Sequence, residues 1–216
     1  MHGELAQYAE GIKGQVRLMS NTNALTEFLP EPLSDFLATH PQVSIDLEER
    51  LSDEIVAAVA DGTADIGIVA ATVEVAGLET LPFRTDRFVL VVPPEHQLAG
   101  AGRIAFAEVL DFDFVGLDRA SALQRFLAEK AERSGRRLKL RVQLRSFDAV
   151  CRLVECNVGI GVVPATTAER HARTMAIHRI ELADEWALRN LTICIRRTAD
   201  LPIYARDLVR HLAAPR

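Results

Sequence analysis

The chain has 216 residues, 49% of them hydrophobic and 25% charged, with 25 Lys and Arg against 30 Asp and Glu for a formal net charge of −5. That balance suits the core of one large domain or two small lobes, and it argues against a chain that grips duplex DNA through an overall basic face, since such affinity rests on neutralised phosphates. Three cysteines without CxxC spacing read as reduced thiols, and the absence of a signal-peptide pattern or an apolar span of ~20 residues points to a soluble cytoplasmic protein with no membrane partner.

In chain order, Leu5, Tyr8, Ala9 and Ile12 stand at helical spacing before Gly14, so Gly3–Ile12 reads as the tail of a helix entering a domain. Gln15–Met19 alternates as a strand does. Leu25, Phe28, Leu29, Leu33, Phe36 and Leu37 then recur as one helical face, with Pro30 and Pro32 predicting a kink or a late start. Val43, Ile45 and Leu47 predict a second strand. Ser52 is placed to cap a helix that carries Asp53 and Glu54 in its first turn and ends at Gly62. Asp65–Ala70 is nearly all apolar, as expected of a parallel strand buried on both faces.

Leu78–Phe83 and Arg87–Val92 predict two further strands, ended by Pro93-Pro94. The same alternation then restarts, with helices over Phe106–Leu110, Ala122–Arg133, Phe147–Glu155 and Thr166–Arg173 and strands over Asp113–Leu117, Lys139–Leu144, Gly159–Val163 and Met175–Ile180. A strand at Leu188–Ile195 and a helix at Ile203–Ala213 complete the chain. Repeated strand–helix order predicts an α/β protein with right-handed crossovers. Two such halves in this length predict a hinged pair, crossing near Val91–Pro94 and returning along Leu188–Ile195.

Four segments in register resemble one family. Gly14-Gln-Val-Arg-Leu-Met with Phe28-Leu-Pro30, Phe36 and His40-Pro41 is similar to the opening of LysR-type effector-binding domains. Gly62-Thr-Ala-Asp-Ile-Gly-Ile68 resembles their G-x-x-D-x-x-I turn and strand. Val91-Val-Pro-Pro-Glu-His-Gln-Leu98 resembles their hinge, and Val154 with Gly159-Ile-Gly-Val-Val-Pro164 their V-x-x-G-x-G-I-x-x-L-P element. Asn157, Gln97 and Val163 depart from the family's usual Gly, Pro and Leu. The resemblance implies the type 2 periplasmic-binding-protein fold, two Rossmann-like lobes joined by a two-strand hinge. Residues 1–13 would be the end of a linker helix, 14–91 plus 190–216 the first lobe and 92–189 the second. It also implies that the DNA-reading winged helix-turn-helix lies outside this chain, that the chain forms a homodimer through its first helix (a tetramer being open to the full-length protein), and that a small polar or anionic effector binds in a cleft between the lobes.

Ligands of open α/β sheets sit at the carboxyl ends of strands, where helix N-termini present unbonded N–H groups. That rule selects Ser20-Asn-Thr-Asn23, Ser52, Ala70-Ala-Thr72, Ser121 and Ser146-Phe-Asp148. The resemblance implies effector contacts from Asn21 and Asn23, flanking ones from Ser52 and Ala70, and contributions from Ser121, Ser146 and Phe147. Any single Ser, Thr or Asn here is better explained as a helix cap, since capping preference alone accounts for the residue type. Asn21 and Asn23 stand out as a pair, because one cap suffices for one loop. Asp148 reads as a partner of a helix dipole.

Catalysis has little support in the sequence. The six histidines show no metal-ligand spacing, no G-x-S-x-G elbow is present, and Gly159-Ile-Gly161 follows a helix and opens a strand, the wrong context for a dinucleotide fingerprint. No cofactor is expected. The basic stretch Arg133–Arg145 lacks interleaved aromatics and reads as a solvated face on an edge strand. The rival reading is a solute-binding protein of a transporter with the same fold.

Overall fold

The computed structural model describes residues 14–71, 73–75 and 77–214; the helix expected over Gly3–Ile12 and position Thr72 lie outside them. The chain forms two compact units, Met1–Arg84 with Asn190–Arg216, and Thr85–Arg189. It leaves the first unit within β4 (Glu79–Val92) and returns within β10 (Leu188–Ile195). The two strands expected at Leu78–Phe83 and Arg87–Val92 are therefore one strand of 14 residues. The polar segment Arg84-Thr85-Asp86 does not turn because it is held extended. The Arg84 guanidinium lies over the Phe83 ring and donates to the carbonyls of Phe83 (2.6 Å) and Leu212 (3.4 Å), and Asp86 is buried.

In the first unit β1 (Gly14–Ser20) lies between β2 (Val43–Glu49) and β3 (Ile66–Ala70), both parallel to it, with Ser20 level with Glu49 and with Ile68. On the far side of β3, β10 runs antiparallel, Leu191 opposite Ala70 and Cys194 opposite Gly67. Every residue of β3 is buried, and its alternating side chains go to two different cores. Ile66 and Ile68 join Val16, Leu18, Phe36 and Leu208, while Val69 joins Ile55 and Val59 of α2 (Ser52–Asp61) and Cys194. Gly67 faces that second core. A Cβ there would come within 2.5 Å of Ile55 and 2.7 Å of the Cys194 sulfur, so the residue must lack a side chain for α2 to sit this close.

The rest of the motif around β3 has equally plain reasons. Gly62 ends α2 in the left-handed conformation at φ 86°, where a side chain would be strained. Asp65 accepts hydrogen bonds from the Arg17 backbone N–H (2.8 Å) and from its guanidinium (2.7 Å), locking the entry to β3 beside β1. After β1, the chain makes a π-helical turn over Ala24–Phe28, with the Leu29 N–H reaching Ala24 O at 3.0 Å, and α1 (Pro30–Thr39) starts on Pro30. The proline thus sits at a helix start, where its missing N–H costs nothing.

The second unit centres on β4, paired antiparallel with β8 (Gly161–Pro164) and β9 (His178–Leu182); β5 (Arg103–Ile104) extends β9 in parallel. β6 (Asp113–Leu117) pairs in parallel with β7 (Lys139–Leu144). Helices α3 (Phe106–Val109), α4 (Ala122–Arg133), α5 (Phe147–Glu155) and α6 (Ala165–His171) pack Phe106, Leu127, Val154 and Ala168 into one core with Phe88, Leu90 and Ile160. The last helix, α7 (Ile203–Ala213), belongs to the first unit. β9 begins at His178 rather than at the expected Met175, because the Ala176 N–H is taken by the Glu155 carboxylate and the chain there is a loop. The two residues of β5 are too few for any periodicity to announce them.

Cys151 and Cys194 are buried and Cys156 is exposed, and none of the three is in a disulfide. Burial pushes the Cys194 thiol up to about 11, which leaves it protonated and unreactive at neutral pH.

The strand expected over Gly159–Val163 starts at Gly161, because Ile160 is spent on joining β6: its N–H donates to Asp113 O (2.9 Å) and its carbonyl accepts from Val115 (2.8 Å). Gly159 makes that approach possible, since a Cβ there would fall 2.5 Å from the Asp113 carbonyl oxygen, which is backbone and cannot swing aside. Gly159→Ala is accordingly expected to destabilise the chain by about 1–3 kcal/mol, whereas Gly100→Ala, with nothing within 4 Å of its Cβ, should leave the urea midpoint nearly unchanged.

Candidate functional site

In the first unit the carboxyl ends of β1, β2 and β3 bring together a cluster of polar side chains. Ser20, Asn21, Thr22 and Asn23 follow one another and all are buried, an unusual concentration of polar groups away from water. The backbone of the loop is pinned on both sides: Asn21 N–H donates to Ile68 O (3.2 Å) and Arg50 N–H to Ser20 O (3.0 Å). The Asn21 side-chain oxygen accepts from the Ala24 N–H at 3.0 Å and so caps the helical turn that follows. Its amide nitrogen, also buried, has no hydrogen-bond partner among the described residues. Because the Ala24 N–H can only meet an acceptor, the carboxamide cannot be flipped to relieve this.

Thr22, which the sequence reading passed over in favour of its neighbours, donates to the Glu49 carboxylate at 2.7 Å. Glu49 is the last residue of β2 and level with Ser20 in the register. The signal for that pair was the parallel pairing of β1 with β2, which a sequence does not display.

Ser52 and Ala70 are brought together as well, though not in the way the capping argument expects. The cap position of α2 is Leu51, whose N–H is held by the Glu54 carboxylate at 3.0 Å. Ser52 opens the helix proper, and its hydroxyl accepts the Ala70 N–H at 3.1 Å, tying the end of β3 to the start of α2. Asn23 is buried beside Asn21 without capping the turn.

In the second unit the selected residues are spread along α4 and α5. Ser121 is the N-terminal flank of α4 but its side chain makes no capping bond. Ser146 does cap α5, accepting from the Ala149 N–H at 3.3 Å. The Phe147 side chain is buried in the unit's core. Asp148, expected to serve a helix dipole, is bonded to the His171 ring at 2.6 Å.

Two further features of this unit escaped the sequence reading. Gln124, in the first turn of α4, is buried; its Oε1 accepts the Leu117 N–H at 3.0 Å, and its Nε2 has no partner among the described residues. The available signal was a polar residue set between Leu123 and Leu127 on the inward face of an amphipathic helix. The other is Arg189, whose guanidinium lies 5.3 Å from the Phe88 ring and 4.8 Å from the Phe126 ring. Burial pulls its pKa down to about 10, opposed by the carboxylate of Asp86, so it keeps its charge at neutral pH.

Half of the basic stretch is matched by acid and carbonyl groups: Arg136 pairs with Asp111 (3.1 Å), Arg141 with Asp113 (3.6 Å), and Lys139 donates to the Asp111 carbonyl (2.8 Å). Among the described residues no group of three or more His, Cys, Asp and Glu is arranged to hold a metal ion, and no helix is long and apolar enough to cross a membrane.

The division between caps and free donors yields a stability test. Ser146→Ala removes the α5 cap and is expected to cost about 1 kcal/mol, measured as a shift of the urea midpoint at unchanged slope. A midpoint within error of the parent would show that the α5 N-terminus does not depend on this hydroxyl.

Comparison with known proteins follows the same architecture. The family model for the LysR substrate binding domain matches residues 9–215. A probable RuBisCO transcriptional regulator of Synechocystis sp. is 26% identical over 176 residues, which is 79% of this chain and 51% of that protein, so this chain spans about half the length of that relative. Among solved structures, the regulatory domain of Synechocystis CcmR in complex with 2-PG superposes with a TM-score of 0.73 at 20% identity, covering 93% of this chain and 96% of that one. The C-terminal domain of a probable LysR family regulator from Rhodococcus sp. RHA1 gives 0.71 at 20% identity, covering 94% and 100%. At that identity the structural likeness speaks for the fold.

Proposed function

The chain belongs to the LysR substrate-binding-domain family, and on that premise we propose that it senses a small polar or anionic metabolite on behalf of a DNA-binding transcriptional regulator. Its two α/β units have the type 2 periplasmic-binding-protein fold of effector-binding domains. The observation that carries the reading for this chain is the Asn21 amide nitrogen, a hydrogen-bond donor buried without a partner among the described residues at the shared carboxyl ends of β1, β2 and β3. A buried donor left unbonded costs about 1–3 kcal/mol. Such a cost is understandable where a ligand acceptor meets the donor. The 2-PG carried by the Synechocystis CcmR domain is consistent with an effector of this size and polarity.

Asn21 and Asn23 are proposed as the principal contacts of the first unit, with Ser52 and Ala70 shaping the same strand ends. Ser121, Ser146 and Phe147 are proposed contributors of the second unit, with the backbone of their helix starts carrying more of the recognition than Phe147, whose ring is spent on the core. The proposed lobes follow the two compact units, so that residues 85–91, which the sequence assigned to the first lobe, go with the second. The site is proposed to bind without reacting, in line with the Synechocystis relative, a probable RuBisCO transcriptional regulator. DNA contact would come from a domain outside this chain, and the protein would work in the cytoplasm. The family assignment favours this over a transporter's solute-binding protein.

A thermal-shift screen against metabolites tests the reading, because a ligand at 100 times its Kd should stabilise the chain by about 2.7 kcal/mol. Asn21→Ala should weaken any hit roughly tenfold to a hundredfold while lowering stability by only about 1 kcal/mol for the lost cap. Unchanged affinity in that variant would reduce Asn21 to a helix cap.

A homodimer through α1 is also proposed. Leu29 and Phe36 are buried, while Leu25, Phe28, Leu33 and Leu37 on the same stretch are partly buried; Phe28, Leu33 and Leu37 pack against the unit's own core and leave only their outer edges for a partner. Light scattering at high protein concentration is expected to give the dimer mass, and a monomer mass would remove α1 as an interface.

A further inference from the structure

We infer that α7 is a strut running between two ends of the first unit, and that Tyr204 is its positioning residue, fixing how residues 1–13 meet the unit at Gly14. The inference rests on the regulator reading above, in which the state of the sensing domain has to reach a DNA-binding domain outside this chain.

Two separate points of the unit meet opposite ends of this helix. At its start, the Tyr204 ring lies against the backbone of Gly14, the first residue of β1. A Cβ on Gly14 would run into that ring, so only a glycine lets the ring come so close. Gly14 is itself held by its N–H on the Gln42 carbonyl at 3.3 Å. At the other end, the Leu212 carbonyl accepts from Arg84 Nη1 at 3.4 Å. Arg84 is the last residue of the unit before the chain passes into the second along β4. Its guanidinium is fixed there by Phe83, lying 4.8 Å from the ring centroid and donating to the Phe83 carbonyl at 2.6 Å. In the same last turn the His211 ring donates to the Pro32 carbonyl of α1 at 2.9 Å.

What lies between these points is stiff. α7 has 11 residues, roughly 16 Å of helix at ~1.5 Å per residue. Ala205, Leu208, Val209 and Leu212 are buried along it, in the core that also holds Val16 and Leu18 of β1 and Phe83 of β4. The start of β4 is tied to the start of α7 as well: the Glu79 carboxylate accepts the N–H (2.8 Å) and the hydroxyl (2.6 Å) of Thr198, shortly before the helix. β4 and α7 are thus joined at both ends. A close-packed interior passes a displacement on instead of absorbing it. A shift of β4 at Arg84 therefore moves α7 as a body and carries the Tyr204 ring with it, against the residue where the chain enters.

The test uses the whole chain carrying fluorotyrosine, which labels two positions, Tyr8 ahead of Gly14 and Tyr204. Tyr204→Phe identifies the two fluorine lines. Arg84→Met removes the donor from the Leu212 carbonyl, and the Tyr204 line is expected to move by more than its width. Arg84→Lys keeps a cationic donor there and should return the line towards its wild-type position. Arg210→Gln, which loses only an exposed pair with Asp207 on the same helix, should leave it in place. The Tyr8 line should move in Tyr204→Leu and stay in Tyr204→Phe, which keeps the ring. Should Arg84→Met or Tyr204→Leu fail to fold, His211→Ala and Tyr204→Met are read in their place. A Tyr204 line unmoved by the change at the far end of α7 overturns the strut, and a Tyr8 line indifferent to loss of the Tyr204 ring overturns its positioning role. No ligand enters these measurements, so either failure leaves the effector-binding reading standing. A thermal-shift screen without hits overturns that reading while the strut remains.

Discussion

The first unit depends on one constraint: β3 is buried on both faces and on both edges. Ile66 and Ile68 enter one core and Val69 the other, while β1 and β10 take its backbone hydrogen bonds on either side. Fully burying such side chains is worth about 1.5–3 kcal/mol each, and that gain is available only if helices cover both faces. α2 covers one of them, pressed close enough that Gly67 must have no side chain. The opposite face is covered with the help of α7, from the end of the chain. The first unit is thus incomplete until the chain has passed through the second and come back along β10.

The same constraint explains where polar chemistry collects. A parallel sheet with helices on both faces leaves its strand ends as the places where backbone N–H groups and loop side chains escape the core. In the first unit these ends are tied to each other: Thr22 to Glu49, Ser52 to Ala70 and Asn21 to Ile68. Such bonds hold the loop rigid, so that the Asn21 carboxamide has a fixed direction, a condition for selective binding. The π-helical turn just beyond it, ended by the Leu29–Ala24 bond, is the kind of local departure often kept at functional sites.

The second unit solves the problem differently. Its aromatic residues gather around a half-buried charge: Trp186 stands edge-on to Phe106 at 5.3 Å and to Phe126 at 5.4 Å, and Arg189 lies over Phe126 and Phe88. Burial costs the guanidinium part of its basicity without discharging it. Its position at the point where the chain leaves this unit along β10 makes the boundary residue a packed element of the core. Glycines are placed where backbones touch, as at Gly159 against the Asp113 carbonyl.

Much was legible in the sequence because it depends on neighbours along the chain. Alternation located β1, β2 and β7, apolar continuity located β3, and helical spacing set the bounds of α4, α5 and α7 within a residue or two. Pro30 and Pro32 announced a kink or a late helix start, of which the second is found, and four motifs in register named the family. The cluster Ser20–Asn23 could be singled out because four small polar residues at a strand end are a local fact. What depends on distant residues was not legible. Nothing near Ser52 says that its hydroxyl will meet the Ala70 N–H instead of capping its own helix, since the choice is made by the distance between α2 and β3. Arg84-Thr85-Asp86 looks like a break until the Leu212 carbonyl and the Phe83 ring hold it straight. Gln124 reads as a stray polar residue until Gly116 and the Leu117 N–H turn its amide nitrogen into a buried, unmatched donor. Periodicity and motif settle which elements form, because they are set by covalent geometry and local burial. The tertiary structure alone settles which polar atoms are satisfied, because that depends on approaches of a few tenths of an ångström between segments far apart in the chain.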